Sequence, residues 1–114
     1  MLFDKAIVRT PGKSVVDGID DYANAGKPSF EKARAEHHAY VELLKKLGIA
    51  VTVLEPLEQF PDSCFVEDPA VVFDDFAVVT NPARNTRQKE REFIRPVLDQ
   101  FFEHDQIFEI TAPG

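Results

Sequence analysis

The chain is poor in the residues that would tie it to several common function classes. It has one cysteine in 114 residues, so no internal disulfide can form, and such usage fits a protein of the reducing cytoplasm. Basic residues are in deficit: 13 Lys and Arg against 20 Asp and Glu give a net charge of -7. Nucleic acid calls for a basic face, so that class of partner is not expected. The acidity is compatible with a small cationic ligand, although acidity by itself often serves only solubility. No apolar run approaches the length of a membrane span. The start, Met1-Leu2-Phe3-Asp4-Lys5, lacks a basic-then-apolar signal pattern. Low-complexity segments and an obvious interdomain linker are also missing, and the length suits one domain over residues 1–114. Histidines number three. His37 and His38 are adjacent, so on a helix their side chains diverge by about 100° rather than sharing a face as metal ligands at i and i+4 do. Neither a metal nor another cofactor is expected.

What is present alternates between strand and helix patterns, which predicts the α/β class. Ala6-Ile7-Val8 reads as a strand, ended by the turn Arg9-Thr10-Pro11-Gly12. Turn formers crowd residues 13–28 and predict a long loop, of the kind that often serves as a lid. Ser29 is placed to cap a helix over residues 30–47, whose apolar face is expected to be Phe30, Ala33, His37, Tyr40, Leu44 and Leu47. Lys45, Lys46 and Gly48 suit its C-terminal end. His37 is expected at the edge of the core and His38 at the surface. A β-branched strand follows at 49–54. Ala70-Val71-Val72-Phe73 and Ala77-Val78-Val79-Thr80, separated by Asp74-Asp75-Phe76, predict a hairpin. Asn85 or Thr86 is expected to cap a second helix with the stripe Phe93, Ile94, Val97, Leu98, Phe101 and Phe102. Pro96 should kink that helix or restart it. His104 is expected near its C-terminal end, and a last strand covers 107–110. From residue 70 the order is strand, strand, helix, strand; residues 6–54 give a similar unit lacking one strand.

The segment richest in chemistry is Pro61-Asp62-Ser63-Cys64-Phe65-Val66-Glu67-Asp68-Pro69. It holds three carboxylates just before the hairpin. If it is extended, Glu67 and Asp68 point to opposite sides. Paired carboxylates suit a guanidinium, whose planar fork of donors they can accept bidentately. A solvated acidic turn is the alternative reading of the same spacing. Cys64 lies among these acids, which raise rather than lower a thiol pKa, so it reads as a partly buried loop cysteine and not as a nucleophile.

Ala6-Ile7-Val8-Arg9-Thr10-Pro11, Asp17-Gly18, the segment Pro61 to Asp68, Thr80-Asn81-Pro82 and Thr86-Arg87 occur in an order that resembles dimethylarginine dimethylaminohydrolases. The resemblance runs along essentially the whole chain, and Phe65-Val66-Glu67-Asp68 is its most specific part. It implies the pentein fold, a propeller of five ββαβ modules, of which about two would be present here. It implies hydrolysis of a methylated arginine to citrulline and a methylamine without a metal. A cysteine thiolate attacks, a histidine serves as general acid and base, and carboxylates grip the guanidinium. Carried over, Asp68 holds the guanidino group. Asp62 and Glu67 position the substrate or the histidine. Arg87 helps to hold the substrate's α-carboxylate, and Ile19 matches a lid-loop residue that is usually leucine. Arg84-Asn85 departs from the family's small residue and proline. The family's histidine and nucleophilic cysteine lie further along a longer chain, so no catalytic residue is assigned here, and these 114 residues alone are expected to be inactive.

Three functions follow as expectations. The first is the N-terminal portion of a guanidino hydrolase acting on methylated arginine or, like arginine deiminases, on a related compound. The second is a module that binds guanidinium without turnover. The third is a self-associating domain, since sheet edges of an incomplete propeller can pair with another copy.

Overall fold

The computed structural model describes residues 3–18 and 29–111. The chain divides into two compact units, residues 1–65 and 66–114.

In the first unit, β1 (Lys5–Arg9) lies parallel to β2 (Ala50–Leu54), with Ile7 opposite Thr52. Parallel neighbours need a crossover connection. Here it contains a short 3-10 turn, Lys13–Asp17, and α1 (Phe30–Lys46). Residues 19–28, most of the expected long loop, lie outside the described residues; the part that is described is this 3-10 turn. Ser29 caps α1 by accepting the Lys32 N–H, and Gly48 ends it in the left-handed conformation at φ 84°. The buried face of α1 is shifted from the expected one. Leu44 is buried as expected, but its neighbour in the core is Val41, packed with Val8 and Ile49, while Tyr40 and Leu47 are more than half exposed. His37 is half-buried and His38 exposed, as expected.

The second unit carries the strand, strand, helix, strand order read from the sequence. β3 (Ala70–Val72) and β4 (Ala77–Val79) form an antiparallel hairpin, closed by the Phe73 N–H donating to Phe76 O at 2.8 Å. β5 (Ile107–Glu109) adds parallel to β4. Ala77 and Val79 are fully buried, and so is Leu98. With Ala70, Ile107, Ile94 and Val97 they make a core between the sheet and one helix.

The expected second helix is two helices: α2 (Asn85–Gln88) and α3 (Arg91–Leu98). The break falls at Lys89 and Glu90, and Pro96 sits inside α3 without ending it. Arg84, not Asn85 or Thr86, is the residue before α2, and no side chain caps it. Ile94, Val97 and Leu98 of the expected stripe are buried; Phe93 and Phe101 are each 38% exposed, and Phe101 lies beyond the end of α3 at Leu98. His104 Nδ1 lies 3.0 Å from Arg95 Nη2, in the last turn of α3. Among the described residues no helix is long and apolar enough to cross a membrane.

Candidate functional site

The centre of the candidate site is a triad in the second unit: Asp68, Arg87 and Glu90. Its parts come from the loop before β3, from α2 and from the break before α3. The loop is not extended. Residues 66–69 form a turn, so the extended geometry on which the opposed pointing of Glu67 and Asp68 depended is absent; both are exposed. Thr80 fixes this turn from the end of β4. Its hydroxyl donates to Asp68 O at 2.5 Å and its N–H to Pro69 O at 2.9 Å. Gln88 Nε2 donates to Pro82 O at 3.1 Å, tying the Asn81-Pro82 segment to α2. The Thr80-Asn81-Pro82 pattern therefore does mechanical work: it anchors the backbone that carries Asp68.

Arg87 is buried, with its side chain 8% exposed. Every one of its side-chain nitrogens has an acidic partner. Nε donates to Glu90 Oε2 at 2.7 Å and Nη2 to Glu90 Oε1 at 2.9 Å, a bidentate pair. Nη1 donates to Asp68 Oδ2. The local backbone explains this geometry. Glu90 N–H bonds back to Arg87 O at 3.1 Å, closing a tight turn between the two helices. Arg87 and Glu90 thus lie three residues apart on one side of that turn, where side chains meet. Burial alone would favour the neutral guanidine. The bonds and charges of Glu90, and then of Asp68, outweigh it and hold Arg87 above its ordinary value.

Glu90 is the site residue that sequence reasoning missed. Its side chain is 3% exposed, against 55% for Asp68. The available signal was the Arg87-x-x-Glu90 spacing, but an acid and a base three apart on a helix are ordinarily a solvated pair. Two carboxylates against one guanidinium leave the triad with one net negative charge. Glu90 faces inward and its charge is matched by Arg87. Asp68 presents the outward carboxylate, which suits a cationic ligand able to donate hydrogen bonds.

The other expected site residues are placed as follows. Asp62 is half-buried in the first unit, tight against Gly18: a Cβ at position 18 would sit 2.6 Å from Asp62 Oδ1. That close approach is why the Asp17-Gly18 pattern needs its glycine. Ile19 lies outside the described residues. Glu67 is exposed in the turn beside Asp68. Cys64 is half-buried in its loop. Among the described residues no cluster of three or more His, Cys, Asp or Glu side chains could hold a metal ion.

Residues 19–111 match the profile of a family described as N,N dimethylarginine dimethylhydrolase, eukaryotic. The chain is 38% identical over 113 residues to an N(G),N(G)-dimethylarginine dimethylaminohydrolase of Pseudomonas aeruginosa, covering 99% of this chain and 44% of that protein. A Pseudomonas aeruginosa structure of this kind, a mutant complexed with citrulline, superposes with a TM-score of 0.92 over 98% of this chain and 44% of that one. The N-terminal domain of a cyanobacterial arginine dihydrolase superposes with a TM-score of 0.78 over 94% of this chain and 39% of that one; at 18% identity this likeness is one of fold. The chain spans less than half the length of the relatives it matches.

Proposed function

From the premise that this chain belongs to the N,N-dimethylarginine dimethylhydrolase family, we propose that it forms the guanidinium-gripping portion of a longer guanidino hydrolase. The fold is mixed α/β with small sheets, like its structural neighbours. We read its two units as two modules of an α/β-propeller whose remaining modules belong to the longer protein. The substrate class is a methylated arginine, cleaved to citrulline and a methylamine. A cysteine thiolate attacks the guanidino carbon and a histidine moves the protons, both supplied from outside these 114 residues. Asp68 is the carboxylate that holds the guanidino nitrogens. Asp62 and Glu67 position the substrate or the histidine, and Ile19 belongs to the covering loop. The resemblance gives Arg87 the α-carboxylate, but its three nitrogens are held by Glu90 and Asp68, so its part in this reading is to brace Asp68. No metal or organic cofactor takes part.

The observation that carries this reading is the presentation of Asp68. Its carboxylate is half-exposed, its backbone is tied to Thr80, and one of its oxygens is held by a buried arginine. Such preorganisation suits a grip on a charged, planar donor. In the longer protein, Asp68→Ala removes a charge-assisted partner and should cost roughly 2–5 kcal/mol of transition-state binding by analogy with breaking a buried charged pair. Steady-state kinetics with dimethylarginine should show that loss in kcat/KM, with Cys64→Ala close to the unaltered enzyme. Equal losses in the two variants would overturn the assignment. The 114-residue chain alone should release no citrulline; release abolished by Cys64→Ser would make Cys64 the nucleophile and sink the reading.

A further inference from the structure

We propose that Glu90 is a positioning residue for the guanidino grip: it locks Arg87 so that Arg87 Nη1 is delivered to Asp68 in one orientation. The inference rests on the reading of Asp68 as that grip. It starts from a buried acid that the chemistry described above does not use. Glu90 is more deeply buried than either of its partners, and it meets Arg87 through both of its oxygens, at 2.7 and 2.9 Å. A bidentate carboxylate fixes the plane of a guanidinium, which a single bond leaves free to rotate. Once Nε and Nη2 are committed to Glu90, the direction of Nη1 is set by the ring-like geometry of that pair. Nη1 then sets Asp68 Oδ2. The outward carboxylate is thus aimed by a chain of two contacts that begins at Glu90.

Charge points the same way. Without Glu90, Arg87 would face Asp68 alone and the pair would be neutral, a weaker attractor of a cationic substrate. With it, the triad keeps one net negative charge. Glu90 therefore serves the grip twice, by orientation and by restoring the charge that Arg87 would otherwise cancel.

The test uses the longer protein that carries this chain, with dimethylarginine as substrate. A carboxylate that merely stabilised the fold would, when removed, lower the amount of active enzyme; kcat would fall and KM would stay. A positioning role predicts the reverse split. Glu90→Gln should raise KM about tenfold or more while kcat stays within about threefold, and Glu90→Asp, which keeps the charge, should recover part of the loss. A buried ion pair can often be replaced by apolar residues without loss of stability. The double variant Arg87→Met with Glu90→Leu should therefore fold and still show the raised KM, which guards against Glu90→Gln failing to fold. In the unaltered protein the Arg87 Nε–H should exchange slowly with solvent in NMR spectra. If Asp68→Ala raises KM but Glu90→Gln and the double variant leave it unchanged, the positioning role is wrong and the grip stands. If Asp68→Ala also leaves KM and kcat unchanged, the reading of the grip itself fails. An Arg87 Nε–H that exchanges at the rate of free arginine would likewise overturn the lock.

Discussion

Glu58 shows how an exposed residue can still organise a loop. Its carboxylate accepts the N–H groups of Lys13 and Ser14, each at 3.0 Å, at the head of the 3-10 turn. Gly12 lets the acid approach: a Cβ there would lie 2.8 Å from it. The bond from Ser14, and then that from Lys13, holds Glu58 below its ordinary value. A carboxylate depressed in the folded state contributes stability that is present above its unfolded pKa and lost as pH falls through the lower, folded value. The Lys13 and Ser14 amides should therefore be protected from exchange near neutrality and lose protection as pH drops below about 4.3, the usual glutamate value. Glu58→Gln should flatten this acid dependence. Protection that is insensitive to pH in the unaltered chain would refute the latch. The contrast with Glu90 is instructive for what sequence can carry at this scale. Asp68 and Arg87 were legible because they sit in specific motifs. Glu90 was not, since its role depends on burial at a helix break that only tertiary packing creates.

At the scale of elements, strands and helix ends were the legible part. The cap at Ser29, the hairpin about Asp74-Asp75 and the stop at Gly48 follow from local chemistry that acts within a few residues. The face of α1 was not decided locally. Two overlapping stripes compete, one through Tyr40 and Leu47 and one through Val41 and Leu44. The core beneath takes Val41 and Leu44, packed with Val8 and Ile49, and leaves Tyr40 and Leu47 more than half exposed. The break between α2 and α3 has the same character: it falls at Lys89 and Glu90, well before Pro96, which lies inside α3 without ending it. Gly48 offers a clean measurement at this scale. Nothing lies within 4 Å of a Cβ built there, so Gly48→Ala meets no clash and pays only for its φ of 84°. The left-handed conformation costs an L-residue about 1–2 kcal/mol. Thermal unfolding should show Tm lowered by roughly 4–8 °C per kcal/mol lost, and Gly48→Asn should lose less. An unchanged Tm for Gly48→Ala would show that the helix end relaxes.

For the whole molecule, the α/β alternation and the strand, strand, helix, strand order could be read from hydrophobic periodicity, but the fate of the uncovered surfaces could not. The three-stranded sheet has one face against α3. Its other face carries Val71, Val78 and Phe108 side by side, because the register sets Val71 opposite Val78 and Val78 opposite Phe108. Phe108 is 56% exposed and Val71 43%. Phe76 extends this row, stacked on Phe73 at 4.4 Å and edge-on to Phe108 at 5.9 Å. An apolar row of this kind, on a sheet whose outer strands β3 and β5 are edges, favours association. The net charge of -7 opposes it. That repulsion is spread over the surface and screened beyond about 8 Å at physiological salt. Burial of the row, by contrast, is a short-range gain that salt does not weaken. Sedimentation velocity on the 114-residue chain should therefore show dimers or larger species at physiological salt, with the monomer gaining ground as salt is lowered. Phe108→Glu places a charge in the middle of the row and should restore the monomer without disturbing the core, since Phe108 points away from Leu98, Val79 and Ala77. A chain that stays monomeric at high concentration, or one whose association survives Phe108→Glu, would show that this face is not what holds copies together.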